Sequence, residues 1–213
     1  MTALNNDFNL SAASHLRRSV VEVEQQVSPN AGVTISNHTV KARIGFRGKG
    51  AIAFLREQGV TIPEKPNQAT FSGGFAVLRL SFTEIWLLDI ESDSNETFEP
   101  KQKSKSEYIA ALESAAKNSP DVYRLFCQHS HALFSFNERD KGTLANLFAK
   151  ICGVDLRESV FPSGSIAQTS VARVNAVVFK QVISEKTERY YLLSDISSSE
   201  YLWDALVDAA GEF

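Results

Sequence analysis

Two cysteines in 213 residues, Cys127 and Cys152, can close one disulfide at most. A disulfide-stapled scaffold is therefore excluded. No apolar run approaches the roughly 18 residues of a membrane helix, so no membrane partner is expected. Positive charge is not in excess: 22 Lys and Arg stand against 25 Asp and Glu, a net charge of -3. Non-specific nucleic-acid binding needs a basic face, and that class is set aside. The N-terminal residues include Asn5, Asn6 and Asp7 and lack the apolar stretch of a signal peptide. The cytoplasm is the expected location, and both thiols read as small buried groups. The acceptor patterns at Asn37 and Asn95 then have no consequence.

The familiar nucleotide and hydrolase signatures are also missing. The run Gly45-Phe46-Arg47-Gly48-Lys49-Gly50 places Gly50 where a phosphate loop needs a hydroxyl for magnesium. It reads as a turn. No Gly-x-Gly-x-x-Gly follows a strand, and no Gly-x-Ser-x-Gly elbow occurs. What remains is ordinary globular composition, 43% hydrophobic and 22% charged, enough to bury a core in one large domain or two lobes.

Residues 1–37 are polar and weakly patterned and read as an N-terminal arm, with a partly helical rhythm over 14–26. Residues 39–46 alternate apolar and basic side chains, the period of a half-buried strand. A helix is predicted over 51–58, stopped by Gly59. Pro63 and Pro66 mark a loop, and strands follow over 75–80 and 84–90. The segment 91–105 is charged and is the best candidate for local disorder. A helix over 106–117 and a short helical piece over 121–127 come next. The second half gives a strand over 132–136, a turn at 140–142 and a helix over 143–151 stopped by Gly153. After the Phe161-Pro162 loop come strands over 166–172, 175–182 and 188–193, then a closing helix over 197–209.

The halves can be laid on each other. Lys49-Gly50 matches Lys141-Gly142, and Gly59-Val60 matches Gly153-Val154. Trp86-Leu87-Leu88 matches Tyr191-Leu192-Leu193. Tyr108-Ile109 and Leu112 match Tyr201-Leu202 and Leu206. The expected fold is α+β: two similar lobes of antiparallel sheet, 38–120 and 121–213, each with helices packed on one face.

Few residues invite a chemical role. Cys127, His129 and His131 put three soft ligands in five residues, which alternation would place on one face of a strand. Zinc takes four ligands, and the fourth is not visible, so no metal site is assigned. Asp89 and Asp195 follow the paired Leu-Leu strands. They suit acid–base work or, more commonly, strand-end turns. Trp86 and Trp203 read as core residues, and as partner anchors if exposed. No catalytic residue and no cofactor-binding residue is assigned.

One resemblance adds to this. The runs Cys152-Gly153-Val154-Asp155-Leu156, Phe161-Pro162-Ser163-Gly164 and Ala167-Gln168-Thr169-Ser170-Val171-Ala172-Arg173-Val174 resemble the sarcosine oxidase gamma subunit family. So do the ending Tyr201-Leu202-Trp203-Asp204-Ala205-Leu206 and, in the first half, Glu84-Ile85-Trp86-Leu87-Leu88. The resemblance covers roughly 43–213. It implies an aminomethyltransferase-like, folate-binding fold and a non-catalytic subunit of a heteromeric flavoenzyme linked to tetrahydrofolate one-carbon metabolism. The implied partners are the larger sarcosine oxidase subunits, of alpha and beta type. Flavin is expected only on those partners. This chain would hold no cofactor firmly, with tetrahydrofolate a possible ligand. The other readings are a self-standing tetrahydrofolate-dependent one-carbon transferase and a folate-free structural or interaction protein. The Lys-Gly-Cys-Tyr pattern of the folate-dependent iron–sulfur assembly relatives is absent.

Overall fold

In the strand Glu84–Asp89 every residue from Ile85 to Leu88 is buried. Such a two-sided apolar run belongs to a sheet covered on both faces. The computed structural model, which describes residues 14–90, 104–184 and 187–213, shows what covers them. Its strands are β1 (Gln25–Val27), β2 (Val33–Asn37), β3 (Arg43–Arg47), β4 (Gln68–Ser72), β5 (Phe75–Arg79), β6 (Glu84–Asp89), β7 (Tyr123–Leu125), β8 (His131–Glu138), β9 (Ile166–Val171), β10 (Val174–Ser184) and β11 (Thr187–Asp195). Its helices are α1 (Ala51–Glu57), α2 (Lys105–Ala116), α3 (Cys127–Ser130), α4 (Thr143–Ile151) and α5 (Ser199–Ala210).

The strands form two antiparallel sheets, ordered β4-β5-β6-β3-β7 and β1-β2-β8-β11-β10-β9. Helices α1 and α2 cover the outer face of the first, where Phe54, Leu55, Ile109 and Leu112 meet Ile44, Phe46 and Leu87. Helices α4 and α5 cover the outer face of the second, through Leu147, Phe148, Leu202 and Leu206 on Phe134, Phe136 and Leu192. The inner faces pack on each other: Leu78, Trp86 and Leu88 meet Leu133, Phe179, Tyr191 and Leu193. The result is four layers, helix–sheet–sheet–helix. Each fully buried Leu or Phe contributes about 1.5–3 kcal/mol.

The expected repeat is present in the topology. Strands β3, β4, β5 and β6 with α1 and α2 correspond to β8, β9, β10 and β11 with α4 and α5, in the same order along the chain and across the sheet. Trp86 lies between Gly45 and Leu78, and Tyr191 between Ser135 and Phe179, so the registers correspond too. Tyr108 and Tyr201 are one position out: Leu112 and Leu206 are each the eighth residue of their helix, but Tyr108 is the fourth and Tyr201 the third.

The halves also exchange strands. β2 precedes β3 but pairs with β8, while β7 precedes β8 but pairs with β3. Residues 25–37, expected to be part of a weakly structured arm, therefore supply two strands to the second sheet. Residues 123–125, expected to be helical, are a strand, because Tyr123 and Leu125 fit the open edge of β3. β4 lies in what was read as loop. The strand expected over 39–46 begins only at Arg43, because residues 38–42 turn the chain between sheets. Most of the 91–105 segment and residues 1–13 lie outside the described residues. Helix α2 begins at Lys105 with a capping box: the Ser104 hydroxyl accepts from the Glu107 N–H at 3.2 Å, and Glu107 accepts from the Ser104 N–H at 2.6 Å.

Candidate functional site

A cleft of about 490 Å³ lies on the inner face of the second sheet. Its floor is Val177 and Leu193, and its hydrogen-bonding groups are His131, Gln168, Ser170 and Asn175. Alternation places them there: Ile166 faces the inter-sheet core, so Gln168 and Ser170 on the same strand face the same way. Gln168 ties the sheets together, its amide donating to the Leu80 carbonyl and to Asn67 Oδ1, both at 2.7 Å. The His131 ring stands edge-on to Trp86 at 4.8 Å, and its Nδ1 is 2.8 Å from the Ser130 hydroxyl. Burial, then the charge of Arg43, holds the His131 pKa below its ordinary value. The ring is therefore neutral at pH 7, offering one donor and one acceptor. The arrangement suits a small polar ligand recognised by neutral hydrogen bonds.

A second cleft, of about 570 Å³, lies between residues 19–25 and β2. The Asn37 amide fastens the covering segment by donating to the Ser19 hydroxyl and the Val21 carbonyl, both at 2.9 Å. Beneath it, His38 Nε2 is 2.8 Å from the buried Ser135 hydroxyl.

The three residues read as soft ligands do not share a face. Cys127, Gln128, His129 and Ser130 form the single turn α3, and only His131 enters the strand. Burial pushes the Cys127 thiol up to about 12, which keeps it protonated and a poor ligand. His129 is exposed, and His131 lines the cleft. The turn is held by Arg43, whose buried guanidinium donates to the carbonyls of Cys127 at 3.0 Å, Gln128 at 3.4 Å and His131.

Both aspartates have structural partners. Asp89 accepts from the Lys105 ammonium at 2.8 Å. Asp195 caps the turn before α5, accepting from the Ser197 N–H at 2.8 Å and its hydroxyl at 2.6 Å. Trp86 and Trp203 are both buried, in the inter-sheet and outer cores respectively. The 45–50 run ends β3 and turns into α1.

Two features escaped the sequence reading: the Arg43 clamp, and a buried pair in which the Lys180 ammonium lies 2.8 Å from Glu188. Lys180 follows Val177-Val178-Phe179 in the middle of a strand, and a charge in such a run is itself a signal.

No protein-family model matches the sequence, and no curated protein matches it. Among solved structures, a chain of the heterotetrameric sarcosine oxidase from Corynebacterium sp. U-96, in complex with pyrrole 2-carboxylate, shares the fold. The TM-score is 0.66 at 20% identity, over 88% of this chain and 88% of that chain. The expected α+β fold is thereby shown. A Clostridium acetobutylicum aspartate kinase chain overlaps with a TM-score of only 0.35 at 14% identity, over 88% of this chain and 36% of that one, and supports no conclusion.

Proposed function

We propose that this chain is a non-catalytic subunit of a multi-subunit amine oxidase of the sarcosine oxidase type. The observation that carries the proposal is the shared fold over 88% of both chains, which matches subunit to subunit rather than fragment to whole. The commitment of Asp89 and Asp195 to Lys105 and Ser197 supports a non-catalytic role. In this reading the larger, alpha- and beta-type subunits carry flavin and the main tetrahydrofolate site, and the complex works in the cytoplasm. Native purification of the tagged chain from its source cells tests it. A large flavin-containing chain retained in stoichiometric amount is the expected result. Recovery of the tagged chain alone overturns it.

The cleft beside His131 favours one second reading, direct binding of reduced folate, whose pterin amide and amine groups suit Ser170, Asn175 and the Oε1 of Gln168. Calorimetric titration with tetrahydrofolate decides it: saturable heat lost on Asn175→Ala supports binding, and no heat at high micromolar folate removes it. A self-standing transferase would further need a free carboxylate at the cleft, and neither Asp89 nor Asp195 provides one.

A further inference from the structure

Three ionisable side chains are buried together at one end of the second sheet. Alternation puts them on its outer face. Glu138 follows Phe136 on β8, Glu188 precedes Tyr190 on β11, and Lys180 follows Val178 on β10; Phe136, Tyr190 and Val178 all belong to the outer core. Asn137 lies opposite Arg189, so Glu138 and Glu188 take the next position of that register, one directly across from the other. Lys180 lies opposite Tyr190, one step along the same face. All three side chains belong to residues more than nine-tenths buried.

Their charges do not balance. Ionised, two carboxylates meet one buried ammonium, and that ammonium lies 2.8 Å from Glu188. Lys141 of the following turn pairs with Glu158 at 2.7 Å and stands 3.8 Å from Glu188. Arg139 pairs with Asp140, and Arg157 with Asp155, both at the exposed surface. The Tyr190 hydroxyl donates to the Leu156 carbonyl. β2 presents Val33 opposite Glu138. The start of α4 presents main-chain donors, the N–H groups of Leu144, at 2.8 Å, and Gly142. One oxygen of each carboxylate, Oε1 in both, is buried and accepts no hydrogen bond. Like charges directly opposite on neighbouring strands destabilise a sheet, and an unsatisfied buried oxygen adds to that. Among the described residues no third carboxylate, imidazole or thiol joins them to complete a metal site.

We propose that Glu138 takes up a proton when the chain folds, and that this proton makes the end of β8 and β11 a pH-sensitive joint, tightest in mild acid and looser as the proton is lost. A proton on Glu138 removes the like charge opposite Glu188 and leaves Lys180 to Glu188 alone. It also supplies an O–H among the unsatisfied oxygens, while the carbonyl oxygen of Glu138 still accepts from the α4 N–H groups. Glu138 takes the proton rather than Glu188, because the ammonium beside Glu188 favours its charged form. Burial raises the Glu138 pKa and the charge of Glu188 adds to it, against the N–H groups of Leu144 and Gly142 and the charge of Lys180. A raised pKa means that the folded chain holds the proton at a pH where the unfolded chain has lost it. The stabilisation is then complete below the ordinary glutamate value and is lost as pH rises through the folded value.

The test is urea unfolding of the full chain, of Glu138→Gln and of Glu188→Gln from about pH 5 to about pH 8, with the Glu138 carboxyl carbon followed by NMR. Glutamine at 138 copies the protonated acid: its oxygen can accept from the α4 N–H groups, and its amide adds a donor beside Glu188. Glu138→Gln should unfold at higher urea than the parent chain at the alkaline end. The ratio of the two folding constants should narrow toward the acid end, by up to about tenfold per pH unit. The Glu138 carboxyl should titrate above an ordinary glutamate. In Glu188→Gln the ammonium of Lys180 loses its carboxylate, and the Glu138 midpoint should fall. Glu138→Gln less stable than the parent at the alkaline end, a difference that does not change with pH, or a Glu138 carboxyl that titrates at or below the ordinary glutamate value overturns the proposal. If Glu188→Gln does not fold, the Glu138→Gln comparison and the titration of the parent chain still decide it.

Discussion

Arg79 and Lys180 occupy the same place in the two halves, one residue beyond the equivalent Leu78 and Phe179, and both are buried. Their compensation differs. Arg79 donates to the carbonyls of Pro63, at 3.0 Å, and Glu64, so the proline loop of the first half folds its own main chain over the cation. Lys180 instead meets the Glu188 carboxylate at 2.8 Å, beneath the Tyr190 ring at 5.4 Å. The repeat fixes where burial happens and leaves open how it is compensated. A guanidinium with a fork of donors can be served by carbonyls, whereas a compact ammonium calls for a charge. The two halves should therefore respond differently to the same substitution.

Lys180→Met is expected to have the largest effect. It leaves the Glu188 carboxylate buried, with Lys141 only at 3.8 Å, and should cost about 3–5 kcal/mol. Lys180→Met combined with Glu188→Leu should recover most of that loss, because two apolar groups leave no orphaned charge. Arg79→Met should cost less, about 1–3 kcal/mol, since it orphans neutral carbonyls. Urea unfolding of the three variants gives the order. If Lys180→Met and Arg79→Met cost the same, the contrast between charge and carbonyl compensation is wrong.

Arg43 and Leu133 make a second matched pair, and here the main chains agree while the side chains do not. The Arg43 N–H donates to Gln128 Oε1 at 2.9 Å, and the Leu133 N–H donates to Thr39 Oγ1 at 3.1 Å. Each half latches a main-chain N–H of the matching strand, β3 or β8, in the other half. Only Arg43 adds a side-chain clamp on α3. Arg43→Leu, which makes the first half like the second, should cost about 2–3 kcal/mol by orphaning those carbonyls. Arg43→Lys should restore only part of it, since one ammonium cannot reproduce the fork. Faster hydrogen exchange over 127–131, with α4 unchanged, would place the loss at the turn. A uniform rise across both sheets would show that Arg43 supports the whole inter-sheet core instead.

The repeat was legible because its strongest marks are local: a glycine before each first helix, another after it, and an apolar triplet in each last strand. Helix 143–151 was read to the residue, since Leu144, Leu147 and Phe148 all face one core. The short strands were not legible. β4 is written Gln-Ala-Thr-Phe-Ser, with an exposed residue at each end, and β1 and β7 have three residues each. The repeat held an unused signal, because a strand over 166–171 asks for a counterpart before Phe75. The strand exchange could not be read at all, since it depends on which edge is free in three dimensions. The candidate aspartates were ambiguous for a similar reason. Lys105, which holds Asp89, lies beyond the 91–103 segment, and nothing local marks the pairing.

The smallest expected effects come from the glycines that precede α1 and α4. The sequence treats Gly50 and Gly142 alike, but they serve different needs. Gly50 has an ordinary φ of -83°, yet a Cβ there would sit 2.4 Å from the Pro120 carbonyl oxygen, where the segment leading into the exchanged strand β7 crosses. Gly142 has a φ of 95° with nothing within 4 Å of a Cβ. Gly50→Ala should therefore act by displacement, costing about 1–3 kcal/mol, and should loosen β7. Gly142→Ala should act by backbone strain alone, costing about 1 kcal/mol. Asparagine tolerates the left-handed region, so Gly142→Asn should lose less than Gly142→Ala, whereas Gly50→Asn should do no better than Gly50→Ala. Thermal midpoints of the four variants separate the two causes. If asparagine is gentler than alanine at both sites, the close crossing at Gly50 is not what requires glycine there, and the exchanged strand is held less tightly than its distances imply.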